Sequence, residues 1–148
     1  SVLPIIDGMI VASRGVCFII PVSHVIESIK IEEGGFFSIA SQERVIDIRG
    51  EIIPVIDISE VFDLEGKVED KGYHLGVVIE NNARKKFIFL VDDIIAKKEV
   101  VIKSLGSRFN RLRGISSGTV LSGGRIAFVM DVEELLAYAS RNEQLIRK

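Results

Sequence analysis

Residues 49–62 read RGEIIPVIDISEVF, and residues 123–136 read GGRIAFVMDVEELL. Shifted by 74 positions, Gly50 falls on Gly124, Ile52 on Ile126, Val55 on Val129, Asp57 on Asp131 and Glu60 on Glu134. Each copy spells a glycine-marked turn, an apolar strand, an aspartate and then a short helix. Each aspartate stands three residues before a glutamate, the aspartate form of the capping box. The aspartate accepts from the free N–H groups of the first helical turn, and the glutamate reaches back. Capping accounts for Asp57 and Asp131 without a catalytic role.

The duplication extends upstream with a shift of 69, which lays Phe18-Ile19-Ile20-Pro21-Val22 on Phe87-Ile88-Phe89-Leu90-Val91 and Ile26 on Ile95. Ungapped, the same shift lays Ile10 on Ile79. The change from 69 to 74 puts five extra residues in the second half. A period near 70 is too long for a solenoid unit, so the expectation is one small fold built twice within a single domain spanning 1–148. The first subdomain covers about 5–66 and the second about 72–140, with strands free to be exchanged between them.

A chain of 148 residues buries about 70% of the surface its unfolded form exposes, so neither metal nor disulfide is required. Apolar residues make up 47%, and their concentration in Ile and Val favours strands. With 19 basic and 21 acidic residues the net charge is −2, which offers no general attraction to nucleic acid or anionic membrane. Cys17 is the single cysteine, which excludes an internal disulfide and suits a reducing compartment. Its neighbours Val16 and Phe18 make it a small core residue. No apolar run reaches the roughly 18 residues of a membrane span, and no signal peptide opens the chain. It begins Ser1-Val2-Leu3-Pro4, as a piece of something longer would.

In order, the pattern predicts strands over 5–12 and 15–21, turning at Ser13-Arg14-Gly15, and then a short helix over 22–28. Ile29 and Ile31 alternate with Lys30 and Glu32 as in a half-buried strand. Residues 33–43 form a loop whose Phe36 and Phe37 either make a contact surface or fold onto the core. Strands follow over 45–48 and 51–58. The polar run LEGKVEDKG at 64–72 is a long loop linking the halves. The second half repeats the order, with strands over 75–80 and 86–91, a short helix over 92–96 and a strand over 99–103. Residues 104–117 form a loop holding Arg108, Arg111 and Arg113. Strands over 119–121 and 125–130 lead to a last helix over 132–140, which extends toward Leu145. Val132, Leu135, Leu136 and Ala139 form its apolar face.

No phosphate loop, dinucleotide glycine pattern or zinc spacing is present. His24 and His74 occupy non-equivalent places in the repeats, and no serine or cysteine pairs with either by motif. Asp92-Asp93 reads as a helix N-cap with a dipole partner. Nothing points to catalysis, a metal or a cofactor. The three arginines around Phe109 are the best argument for a nucleic-acid contact, set against the lack of a basic field.

RGEIIPVIDISEVF resembles the central motif of CheW-like domains, the adaptor fold of bacterial chemotaxis. IIDGMIV at 5–11 and EVVIKSLGSRFNRLRGISSGTVLSGGRIAFVMDV at 99–132 look more like the C-terminal regulatory domain of CheA-type chemotaxis histidine kinases than a free CheW adaptor. The piece VVIK-x-L is the most distinctive. The resemblance runs from about 5 to 139. It implies a mainly β, CheW-like fold: two small SH3-like β-barrels sharing a hydrophobic core, with short helices and a C-terminal helix. It also implies a non-catalytic regulatory part, without the phosphoacceptor, dimerisation and ATP-binding domains. The implied partners are the CheW adaptor, the cytoplasmic tip of chemoreceptors and the rest of the CheA kinase, in the cytoplasm at receptor arrays. No cofactor, nucleic acid or membrane insertion is implied. By motif position Val22, Val25 and Ile39 correspond to apolar residues that dock CheW, with core packing as the rival reading of each. The competing functions are a stand-alone CheW adaptor, a small β-barrel nucleic-acid binder and an enzyme of unknown type.

Overall fold

The computed structural model describes residues 4–39, 43–103 and 112–146, with side chains to residue 141. In chain order the elements are β1 (Ile5–Ser13), β2 (Val16–Pro21), β3 (Val25–Glu32), β4 (Phe37–Ser38), β5 (Arg44–Ile48), β6 (Glu51–Asp57) and α1 (Ile58–Val61). The second half supplies β7 (Tyr73–Glu80), β8 (Lys86–Val91), β9 (Asp93–Val101), β10 (Ile115–Val120), β11 (Ile126–Met130) and α2 (Val132–Ile146). The fold is mainly β, as expected, with α2 as its long helix.

The strands form two sheets, in the orders β10-β11-β2-β1-β9 and β3-β7-β8-β6-β5-β4. Each sheet draws on both halves of the chain. β3 leaves the first half to pair with β7, and β9 leaves the second to pair with β1. The five strands of one sheet correspond to five of the six in the other, β4 being the extra strand, and each sheet contains one parallel contact, β2 with β11 or β6 with β8. Both curl toward closure in the same way. β4 pairs β5 in one, and an isolated bridge from Lys103 to Gly118 ties the end of β9 to β10 in the other. These are the two small barrels of the expected fold.

Alternation along the central strands divides the core into three layers. On β2, Phe18 and Ile20 face a layer shared by both barrels, while Cys17 and Ile19 face the interior of their own. On β8, Phe89 and Val91 join the shared layer, and Ile88 and Leu90 fill the other barrel. Strands buried on both faces must be apolar at every position, which is why VCFII and FIFLV are unbroken hydrophobic runs. Ile58, Val132, Leu135 and Leu136 bring α1 and α2 against the same layer.

Several expectations are corrected. Residues 22–28 form a single 3-10 turn (Val22–His24) and then enter β3. Residues 93–96 belong to β9 rather than to a helix. The cause is the same in both places. Ile26 is the unpaired residue between Val25, opposite Ile79, and Glu27, opposite Val78. Ile95 is the unpaired residue between Ile94, opposite Val11, and Ala96, opposite Ile10. A bulge inserts one residue into the period of two, so Val22, Val25, Ile26 and Ile29 mimic helical spacing. Asp92 therefore caps no helix; its carboxylate accepts from the Arg14 backbone N–H at 2.5 Å and secures the β1–β2 turn. β10 also starts earlier than expected, at Ile115. The match of Ile10 to Ile79 is off by one. Ile19 pairs Ile10, whereas its counterpart Ile88 pairs Val78.

The caps hold in part. Asp57 accepts from the Ser59 backbone at 2.9 Å and from its hydroxyl at 2.7 Å, and Asp131 accepts from the Glu134 N–H at 3.1 Å. Neither glutamate reaches back. Glu134 takes the Gly114 N–H at 2.7 Å, and Glu60 faces Arg44 at 3.5 Å. The hairpin before α2 thus competes successfully for the glutamate, because Gly114 lies against Leu135 of the same helix.

Candidate docking surface

Pro21 ends β2 at the place where a backbone donor is no longer needed, and the chain turns through Val22–His24 into β3. The Val25 N–H closes the turn on the Val22 carbonyl. His24 holds it in place: its Nδ1–H donates to the Glu80 carbonyl at 2.8 Å. Val22 and Val25 are half-buried on this corner, and Val25 packs against the shared layer. Ile39 lies past β4, 46% exposed, with its N–H donating to the Glu43 carbonyl at 3.2 Å. Val22 and Val25 share the corner between β2 and β3, and Ile39 follows β4.

Beside Val25 stands a residue the sequence reading did not single out for docking. Ile26, on the bulge, is 47% exposed, and its counterpart Ile95 is 46% exposed. Their alignment at a shift of 69 was visible in the sequence, but only the bulge explains why both point outward. Of the loop aromatics, Phe36 packs on the barrel core and meets His74 edge-on at 5.1 Å, while Phe37 is exposed.

The histidines remain separate. His74 Nε2 lies 3.5 Å from a Glu33 carboxylate oxygen, far in sequence and partnership from His24. A cleft of about 410 Å³ lies under the link between the halves, lined by Arg14, Asp57, Ser59, Tyr73, His74 and Asp92 among others. The Ser59 hydroxyl there donates to Asp57, on the same carboxylate oxygen that takes the Ser59 N–H as a helix cap. Among the described residues no group of three or more His, Cys, Asp or Glu could hold a metal ion, and no helix is long and apolar enough to cross a membrane. Phe18 stacks on Phe62 at 5.0 Å inside the core, so it offers no base-stacking face. Arg113 is exposed, and Arg108 and Arg111 lie outside the described residues.

The two curled sheets share one apolar layer, and each carries an exposed isoleucine on the bulge of an edge strand. The family model of the CheW-like domain matches residues 7–140, and the chain belongs to that family. Its relatives include the chemotaxis protein CheA of Salmonella typhimurium, 37% identical over 133 residues that make up 90% of this chain and 20% of that protein. The CheA of Treponema pallidum is 32% identical over 99% of this chain and 18% of its own length. The chain thus spans about a fifth of the length of these relatives. Among solved structures, the scaffolding protein TtCheW from Thermoanaerobacter tengcongensis superposes with a TM-score of 0.70 at 14% identity, covering 85% of this chain and 88% of that one. At that identity the likeness speaks for the fold.

Proposed function

We propose that this chain is the non-catalytic regulatory and docking domain of a CheA-type chemotaxis histidine kinase, binding a CheW adaptor and coupling chemoreceptor signals to kinase activity at cytoplasmic receptor arrays. The observation that carries this reading is the likeness to chemotaxis kinases along nearly the whole chain, 99% of it in one relative. The phosphotransfer chemistry belongs to other domains of such kinases. The CheW adaptor, the receptor tip and the remainder of the kinase are the partners, and no cofactor is required.

Val22, Val25 and Ile39 are the residues assigned to CheW docking. Val22 is half-buried, so desolvating its remaining surface contributes on the order of 1 kcal/mol, and forcing a carboxylate into the contact costs more than that. Val22→Glu weakens CheW binding by more than tenfold in titration calorimetry, measured beside its thermal midpoint. A stably folded variant that binds CheW as the parent does excludes this corner. Unfolding of the variant assigns Val22 to the core instead, and Ile26→Glu, at a more exposed position, then decides whether the corner docks. Labelled phosphate incorporated by the isolated chain would overturn the non-catalytic reading.

A further inference from the structure

We infer, building on the docking role proposed above for Val22 and Val25, that His24 is a positioning residue. Its ring selects the form of the β2–β3 corner that leaves Val22 available to a partner instead of burying it in the core. The chain contains this corner twice, and the two copies take different forms. At the shift of 69, Val22, Ser23, His24 and Val25 fall on Val91, Asp92, Asp93 and Ile94. Val25 and Ile94 are both half-buried against the shared layer. Val91 belongs to that layer and is 6% exposed, whereas Val22 is only half-buried. One valine is drawn out of the core and its counterpart is not.

The backbone explains the difference. β8 passes into β9 through the single residue Asp92, whose N–H donates to the Ala12 carbonyl at 2.8 Å. Val11 pairs Ile94 as Ile79 pairs Val25, so the carbonyl equivalent to that of Ala12 is that of Glu80. There the donor is a side chain: His24 Nδ1–H reaches the Glu80 carbonyl at 2.8 Å. A carbonyl only accepts, which places the proton on Nδ1. Val22–His24 form the 3-10 turn, closed by the Val25 N–H on the Val22 carbonyl. The turn spends three residues where the other copy spends one, and this carries Val22 outward.

Residue identity accounts for the choice. Asp93, at the place of His24, carries a carboxylate, and an ionised carboxylate has no proton to give a carbonyl. Backbone carbonyls away from water are nearly always paired, so in that copy the N–H of the preceding residue supplies the bond and the corner runs straight. With histidine at the position, the ring supplies the bond, the Ser23 N–H is not needed for it, and the turn is allowed. His24 therefore acts through the backbone and requires no contact with the partner. Removing its donor favours the straight corner, in which the Ser23 N–H bonds the Glu80 carbonyl and Val22 enters the shared layer as Val91 does.

Three variants test this. His24→Asp installs the residue of the other copy, His24→Asn places an amide N–H where Nδ1 stands, and His24→Gln carries the same amide one carbon farther out. In methyl NMR with a soluble paramagnetic agent, the Val22 methyls become shielded in His24→Asp and His24→Gln and stay accessible in His24→Asn. Affinity for the CheW adaptor falls roughly three- to tenfold in the first two, as loss of one neutral hydrogen bond gives, and is kept in His24→Asn. Val22 methyls that stay accessible in His24→Asp overturn the proposal, as does a His24→Gln chain that matches His24→Asn. A His24→Asp chain that does not fold also overturns it, since a folded chain with Val22 buried is required. Val22→Glu separates the two roles. If it binds CheW as the parent does while His24→Asp still shields Val22, His24 selects the corner and the docking role fails. If Val22→Glu weakens binding while His24→Asp alters neither affinity nor accessibility, the docking role stands and His24 has no part in it.

Discussion

Gly8 and Gly76 each lie under the branch methyl of an isoleucine. A Cβ added at Gly8 would stand 2.4 Å from Ile19 Cγ2, and one at Gly76 would stand 2.7 Å from Ile88 Cγ2. Ile19 and Ile88 are fully buried counterparts in the two barrels, so the same close approach is built twice. Neither methyl can yield, because it sits on the branched carbon beside the backbone of a strand buried on both faces. Gly76→Ala is therefore expected to destabilise by about 1–3 kcal/mol, as overpacking does, read as a lowered denaturant midpoint at unchanged slope. Gly8→Ala should behave alike, and a neutral effect at both sites would show that the sheets yield more easily than their packing suggests.

Among the elements, the bulged strands β3 and β9 and the link over 64–72 carry the departures from simple alternation. The Arg14 guanidinium donates to the Gly66 carbonyl at 2.9 Å, and the Lys71 ammonium donates to the Asp92 carbonyl at 3.1 Å. Both contacts are exposed, and together they strap the polar link across the β1–β2 turn. Arg14→Ala should raise the rate of tryptic cleavage after Lys67 several-fold while leaving the thermal midpoint nearly unchanged, since exposed polar contacts contribute little to global stability. An unaltered cleavage pattern would mean that Leu64, packed on the shared layer, holds the link instead. At α2, Asp131→Ala should cost about 1 kcal/mol through the lost cap, measured by thermal unfolding.

At the scale of the molecule, exchange of β3 and β9 ties the halves together. A piece ending near residue 66 keeps β1 and β2 but loses β9, and a piece starting near residue 72 loses β3. Each would expose both faces of its central hairpin, because the shared layer draws on Met9, Phe18, Val77 and Phe89 alike. Neither half should fold alone, whereas mixing the two should restore the sheet signal in circular dichroism. Independent folding of either half would refute this mutual dependence.

Much of this was legible from local pattern. The duplication, the strand content, the caps at Asp57 and Asp131 and the C-terminal helix follow from periods of two and 3.6 and from short-range chemistry. The family likeness rests on the same residues, since RGEIIPVIDISEVF combines turn, strand and cap in one run. Tertiary structure alone decided the rest. A bulge depends on the partner strand, so Ile26 and Ile95 could not be told from helix positions by spacing. Glu134 could cap its own helix or reach Gly114, and only the hairpin brought beside α2 settled the choice. β2 pairs β11 through residues 110 positions apart, and no local signal encodes which strands close a barrel. Pairing is a long-range contest among many apolar strands, and it is resolved only when both barrels bury one layer between them.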